Sequence, residues 1–136
     1  MVYVLDTNMI IHYLRKTPSV YQNFIDAVKR GDSLIIPQIV NYEIKRGFRI
    51  QSAPQKEETY KVLTEPKGYC EILKMDAYSW VHAEQIYEEL YKKRLTIGEL
   101  DILIAAFCLE NNYTLVTDNI KHFKNIDGLS FANWTE

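Results

Sequence analysis

The chain has 136 residues and a mass of 16.0 kDa, with 47% hydrophobic and 25% charged residues, which is ordinary for one soluble globular domain with a real core. Its 16 basic and 18 acidic residues give a formal charge of −2, a balance that neither demands nor excludes a nucleic-acid partner. Two cysteines far apart, no signal-like start and no apolar run longer than residues 102–109 argue against a disulfide scaffold, a zinc knuckle, secretion or a membrane span, and a cytoplasmic location is expected.

Val2-Tyr3-Val4-Leu5 is a short apolar, β-rich run. It reads as a buried first strand, ended by the polar turn Asp6-Thr7-Asn8. A helix then covers residues 7–16, because Pro18 disfavours helix in the residue before it. Residues 18–31 form a second helix with a stripe of Val20, Phe24, Ile25 and Val28, stopped by Gly31. Residues 33–36 make a second buried strand, and Pro37 opens a third helix over residues 38–51. A charged helix follows at residues 56–64, within a peripheral excursion covering residues 51–67. Residues 70–75 are a third strand, and Asp76 caps a long helix to residue 94. The helix from residue 98 or 99 to 112 is apolar on every side and hence buried. Residues 113–116 are the last strand, with a helical turn at residues 120–123. Strands separated by helices imply βαβ units, hence a single α/β domain over residues 1–136 with a mainly parallel sheet and helices on both faces.

Four carboxylates stand out. Asp6 and Asp118 each follow a strand, and ligands in open α/β sheets sit at the carboxyl ends of strands. If those two strands are neighbours, both acids face one crevice. Glu43 borders the buried stripe of its helix, with Gly47 one turn later. Asp101 stands in the first turns of the buried helix, where the dipole favours negative charge. Each has a purely structural reading as well: a cap for Asp6, a solvated helix glutamate for Glu43, a dipole partner for Asp101, and a turn residue for Asp118. Taken together, several acids in one cleft repel one another, and a divalent cation is the usual remedy. Oxygen-only ligands suit Mg²⁺ or Mn²⁺ rather than zinc, and His12, His82 and His122 lack ligand-like spacing. Such ions activate water and stabilise displacement at phosphorus, which points to hydrolysis of a phosphodiester or phosphate ester.

An ordered set of motifs runs through the whole chain: Leu5-Asp6-Thr7-Asn8, Glu43, Ile97-Gly98-Glu99-Leu100-Asp101 with the apolar residues after it, Leu115-Val116-Thr117-Asp118-Asn119 with Phe123, and Gly128-Leu129 with Trp134. This set resembles the PIN-domain family, and in size and order the VapC-type toxins of type II toxin–antitoxin pairs. The resemblance implies a PIN-like α/β/α sandwich and a Mg²⁺- or Mn²⁺-dependent endoribonuclease. It implies Asp6, Glu43 and Asp101 as metal-binding catalytic acids, with Thr7, Asn8 and Thr117 in support. It also implies a homodimer silenced by a cognate antitoxin. Many family members carry the fourth acid or asparagine two residues after the last threonine, where this chain has Asn119. Asp118 is the stronger hard-cation ligand, so it is expected to face the other acids as the fourth ligand while Asn119 orients the loop.

RNA contacts are expected from cations near these acids, with Lys45, Arg46 and Arg49 on the Glu43 helix and Arg15 and Lys16 ending the first. Some of the ten tyrosines, among them Tyr13, Tyr42, Tyr78, Tyr87 and Tyr91, suit stacking on bases or lining a protein interface. Two other classes remain open: a weakly catalytic module that binds RNA through bridging cations, and a metal-dependent phosphatase. An aspartyl-phosphate mechanism would usually place a second acid two residues after the first, where this chain has Asn8.

Overall fold

The computed structural model describes residues 1–136. Five strands form one sheet in the order β3-β2-β1-β4-β5: β1 (Val2–Leu5), β2 (Ser33–Pro37), β3 (Cys70–Leu73), β4 (Thr114–Val116) and β5 (Phe131–Ala132). Every pairing is parallel, so the sheet is wholly rather than mainly parallel. Seven helices accompany it: α1 (Thr7–Leu14), α2 (Pro18–Arg30), α3 (Gln38–Ile50), α4 (Pro54–Thr64), α5 (Ala77–Lys92), α6 (Glu99–Asn111) and α7 (Ile120–Phe123).

The strand order explains the layering. The chain builds outward from β1 through β2 to β3, then crosses back to place β4 and β5 on the other side of β1. Right-handed crossovers put α1 to α4 on one face and α5 and α6 on the other. The main helix contacts fall into the same two groups, α1 with α2, α3 and α4, and α5 with α6. The result is an α/β/α sandwich. Val4, Leu5, Leu115 and Val116 are essentially inaccessible at its centre, as expected for strands covered on both faces. Ile104, Ala105, Ala106 and Cys108 of α6 are equally buried, which accounts for that helix being apolar all round.

Element ends shift by a few residues from the sequence reading. Helix α1 stops at Leu14, with Arg15 as its C-cap and Lys16 in the left-handed region at φ 59°. Helix α4 begins two residues early, at Pro54, which suits a first helical position. Strand β3 is shorter than expected because only Cys70–Leu73 find partners on β2. Strand β5 has no counterpart in the sequence reading. It is two residues long, paired to Leu115 and Val116, too short for any alternation to register. No helix is long and apolar enough to cross a membrane.

Candidate active site

Strand β1 runs between β2 and β4, so its carboxyl end lies where the sheet changes its direction of growth. A crevice opens at such a switch point. The pairing of Leu5 with Val116 brings the two strand ends level, and the turns after them carry the polar residues.

Asp6 is 4% exposed. It does cap α1, because its Oδ1 accepts the Thr7 N–H at 2.8 Å. Its Oδ2 accepts the Thr117 hydroxyl at 2.8 Å and the Asn8 amide at 3.2 Å. Burial pushes its carboxyl above the ordinary 3.8. The Thr117 and Thr7 hydrogen bonds oppose that shift, and the charges of Asp101 and Glu43 add to it. Asp6 is thus both a helix cap and an acid that feels the charges of two others.

Thr117 is fully buried. Its hydroxyl donates to Asp6 and accepts from the Asn8 amide at 3.3 Å and the Asn119 N–H at 3.0 Å. Asn8 in turn accepts the Asp118 N–H at 3.3 Å. These bonds lock the β1 and β4 turns together. Across the crevice, the Thr7 hydroxyl donates to Glu43 Oε1 at 2.9 Å. The other oxygen of Glu43 has only Arg46, loosely, at 4.0 Å.

Asp101 enters from the first turn of α6, whose N-cap Gly98 offers no side-chain cap. Its Oδ2 meets His122 Nδ1 at 2.7 Å. Asn119 Nδ2 meets that same nitrogen at 2.7 Å. One nitrogen cannot both accept from Asn119 and donate to Asp101. The bond to an ionised Asp101 requires the proton on Nδ1, and Asn119 then presents its amide oxygen. His122 is a residue the sequence reading passed over, since a single histidine on a helical turn carries no spacing signal.

Asp118 turns elsewhere. Its Oδ2 meets His12 Nε2 at 3.0 Å, and His12 Nδ1 meets the Thr17 hydroxyl at 3.0 Å. The expectation that Asp118 faces the other acids while Asn119 serves the loop is therefore reversed in direction: Asn119 points to the Asp101–His122 pair. Side-chain acceptors on the turn backbone cause this, since Asn8 Oδ1 holds the Asp118 N–H and Thr117 Oγ1 holds the Asn119 N–H.

The donor set can be weighed against the implied cation. Asp6, Glu43 and Asp101 supply hard oxygens, and the charges of Asp101 and Glu43 weigh on the buried Asp6. No group of three or more acidic, histidine or cysteine side chains is placed to hold a metal ion by itself. Mg²⁺ keeps several waters and takes one or two carboxylates directly, so these residues fit a hydrated hard cation and do not fit a dry cage or a zinc site. Cys70 and Cys108 are buried and unpaired, and burial pushes both thiols up, out of the reactive range.

A sequence model of the PIN domain matches residues 3–129. The chain belongs to the PIN-domain family. Among similar PIN proteins, ribonuclease VapC2 of Rickettsia felis is 34% identical over 134 residues, covering 98% of each chain. A crystal structure of VapBC2 from Rickettsia felis, bound to a DNA fragment from their promoter, superposes with a TM-score of 0.88 at 32% identity, over 98% of this chain and 99% of that one. The VapBC-1 structure from nontypeable Haemophilus influenzae gives 0.83 at 30% identity over the whole of both chains. This PIN domain therefore shares its architecture with those structures from end to end.

Proposed function

We propose that this PIN domain is an endoribonuclease dependent on Mg²⁺ or Mn²⁺, the toxin of a type II toxin–antitoxin pair acting in the cytoplasm. The observation that carries the reading is the buried Asp6 carboxylate at the sheet's switch point, its proton affinity raised chiefly by burial and further by the charges of Asp101 and Glu43. A protein that buries an acid among acids has a use for positive charge there. Support for RNA as substrate comes from the ribonuclease VapC2 relative, and support for an antitoxin partner from the VapBC pairs.

In this reading Asp6, Glu43 and Asp101 hold the cation, which when bound offsets their repulsion and stabilises charge building on a phosphodiester. Thr117 and Asn8 fix the Asp6 carboxylate. Thr7 fixes one oxygen of Glu43, leaving Oε2 to take the proton of the attacking water. His122 and Asn119 set the direction of Asp101. Asp118 sits beside His12 and supports the turn. A homodimer belongs to the same reading, and the exposed aromatic face of α5 is the surface suited to it.

Purified protein incubated with total RNA should cleave with Mg²⁺ or Mn²⁺ and stop in chelator. Full activity in chelator would sink the metal mechanism. An Asp101→Asn protein that loses RNA affinity, from a parent that never cleaves, would indicate a binding module instead.

A further inference from the structure

A cleft of about 330 Å³ leads away from the acids, between α1, α3 and the start of α4. Thr7 and Glu43 form its inner end, and Ile11, Gly47 and Phe48 are among its walls. Arg15 and Lys56 stand on its outer rim, and Glu43 is its sole carboxylate. We propose that this cleft seats the RNA strand flanking the scissile bond, with Arg15 and Lys56 on successive backbone phosphates and the apolar wall under a base. The proposal rests on the ribonuclease reading above and extends it from the reacting phosphate to the path of the chain.

Charge favours RNA as the occupant. Arg15 and Lys56, like most of the chain's basic residues, have no acid within ion-pair reach and remain available to phosphates, and they set two cations against the single Glu43 in this cleft. The larger cavity nearby, about 750 Å³ around Tyr13 and Tyr69, carries Glu58 and Glu65 against a single Lys67. Its sign is wrong for a polyanion.

Two departures from local helix rules face the same cleft. Gly47 lies inside α3, where glycine weakens a helix relative to alanine. Its φ is not left-handed, and a Cβ there would meet nothing within 4 Å. Neither backbone conformation nor internal packing demands a glycine, but an outside chain approaching α3 closely would. Lys56 sits in the first turn of α4, where the helix dipole disfavours a cation. Arg15, at the C-terminal end of α1, suits its dipole and alone would prove nothing. Local rules that fail together around one cleft mark a functional surface.

The test uses an Asp101→Asn parent, which keeps RNA intact, and a fluorescein-labelled single-stranded oligoribonucleotide titrated by anisotropy in Mg²⁺. Adding Arg15→Ala and Lys56→Ala should weaken binding at least ~10-fold and flatten the log–log salt slope by about 1.4, two phosphate contacts at ~0.7 each. Adding Gly47→Leu, which fills the cleft with a better helix former, should weaken binding at least ~10-fold without lowering the melting temperature. Lys29→Ala, at the opposite end of the sheet, should stay within ~2-fold of the parent. Parent-like affinity and slope in both the Arg15/Lys56 and Gly47 proteins would overturn the assignment and leave the cleft to a peptide partner. A wild-type protein that never cleaves RNA with metal would fail the nuclease reading, whatever the binding data show.

Discussion

Asp6 meets two demands that pull its proton affinity in opposite directions. As a cap and hydrogen-bond acceptor it is held ionised by Thr7, Asn8 and Thr117, while burial and the charges of Asp101 and Glu43 favour the neutral acid, and burial is the largest effect. Because the folded-state value is raised above 3.8, the native state binds the proton more readily than the unfolded chain. Stability therefore falls as pH rises from the unfolded through the folded value, and stays lower at neutral pH. Asp6→Asn removes that cost. In chelator at pH 7 it should melt no lower than wild type, with its relative advantage shrinking as pH falls from the raised folded value towards about 4 and gone below that. Thermal melts from pH 3 to 8 check this. Its cleavage rate should drop at least ~10²-fold, the scale of losing a key electrostatic group. Added Mg²⁺ should raise the wild-type melting temperature by linkage, and that of Asp6→Asn far less. Marked unfolding of the variant would instead make capping the main role. Asp6 was legible in sequence because it ends an apolar strand. His122 was not, since its contact with Asp101 exists only once α6 and α7 are packed.

The loop between β4 and α7 turns a two-residue ambiguity into distinct positions. Adjacent residues at a strand end diverge, so the sequence could foresee that only one of Asp118 and Asn119 faces the acids, but not which. The answer depends on Asn8 and Thr117, which come from opposite ends of the chain and grip successive N–H groups. Asp118→Asn should accordingly retain cleavage within about threefold of wild type. Asn119→Ala should lower it about tenfold, the scale of one lost hydrogen bond, and extra Mg²⁺ should restore little. Initial rates across a Mg²⁺ titration separate the two. An Asp118→Asn protein that is impaired at limiting Mg²⁺ and rescued by excess would return Asp118 to the ligand set. Among the elements themselves, the four longer strands and the helices were legible from apolar runs, prolines and the Gly31 stop. Strand β5 was not, because two residues carry no period and its place depends on the β4 edge it covers.

At the scale of the whole molecule, alternation of strands and helices announced the parallel α/β class, yet strand order was not in the sequence. That β1 lies between β2 and β4 follows from the long return through α5 and α6, and it is this return that joins Asp6 and Thr117 across 111 residues. The same return leaves α5 on the outside of its layer. Ala83, Ile86 and Leu90 bury one side of α5, which packs on α6. Trp80, Tyr87 and Tyr91 share one exposed flank of α5, with Val81 and Tyr78 further round, each more than half exposed, and Tyr87 and Tyr91 stack at 6.5 Å between ring centroids. Clustered exposed aromatics mark interfaces rather than solvated helix faces, and a second copy of the chain is the partner the homodimer reading supplies. Tyr87→Glu with Tyr91→Glu places like charges on that aromatic flank without touching the buried residues Ala83, Ile86 and Leu90. Size-exclusion with light scattering should find wild type dimeric at tens of micromolar and the double variant monomeric, with a far-UV spectrum unchanged. A wild-type monomer, or a double variant that still dimerises, would show that α5 is not where two copies meet.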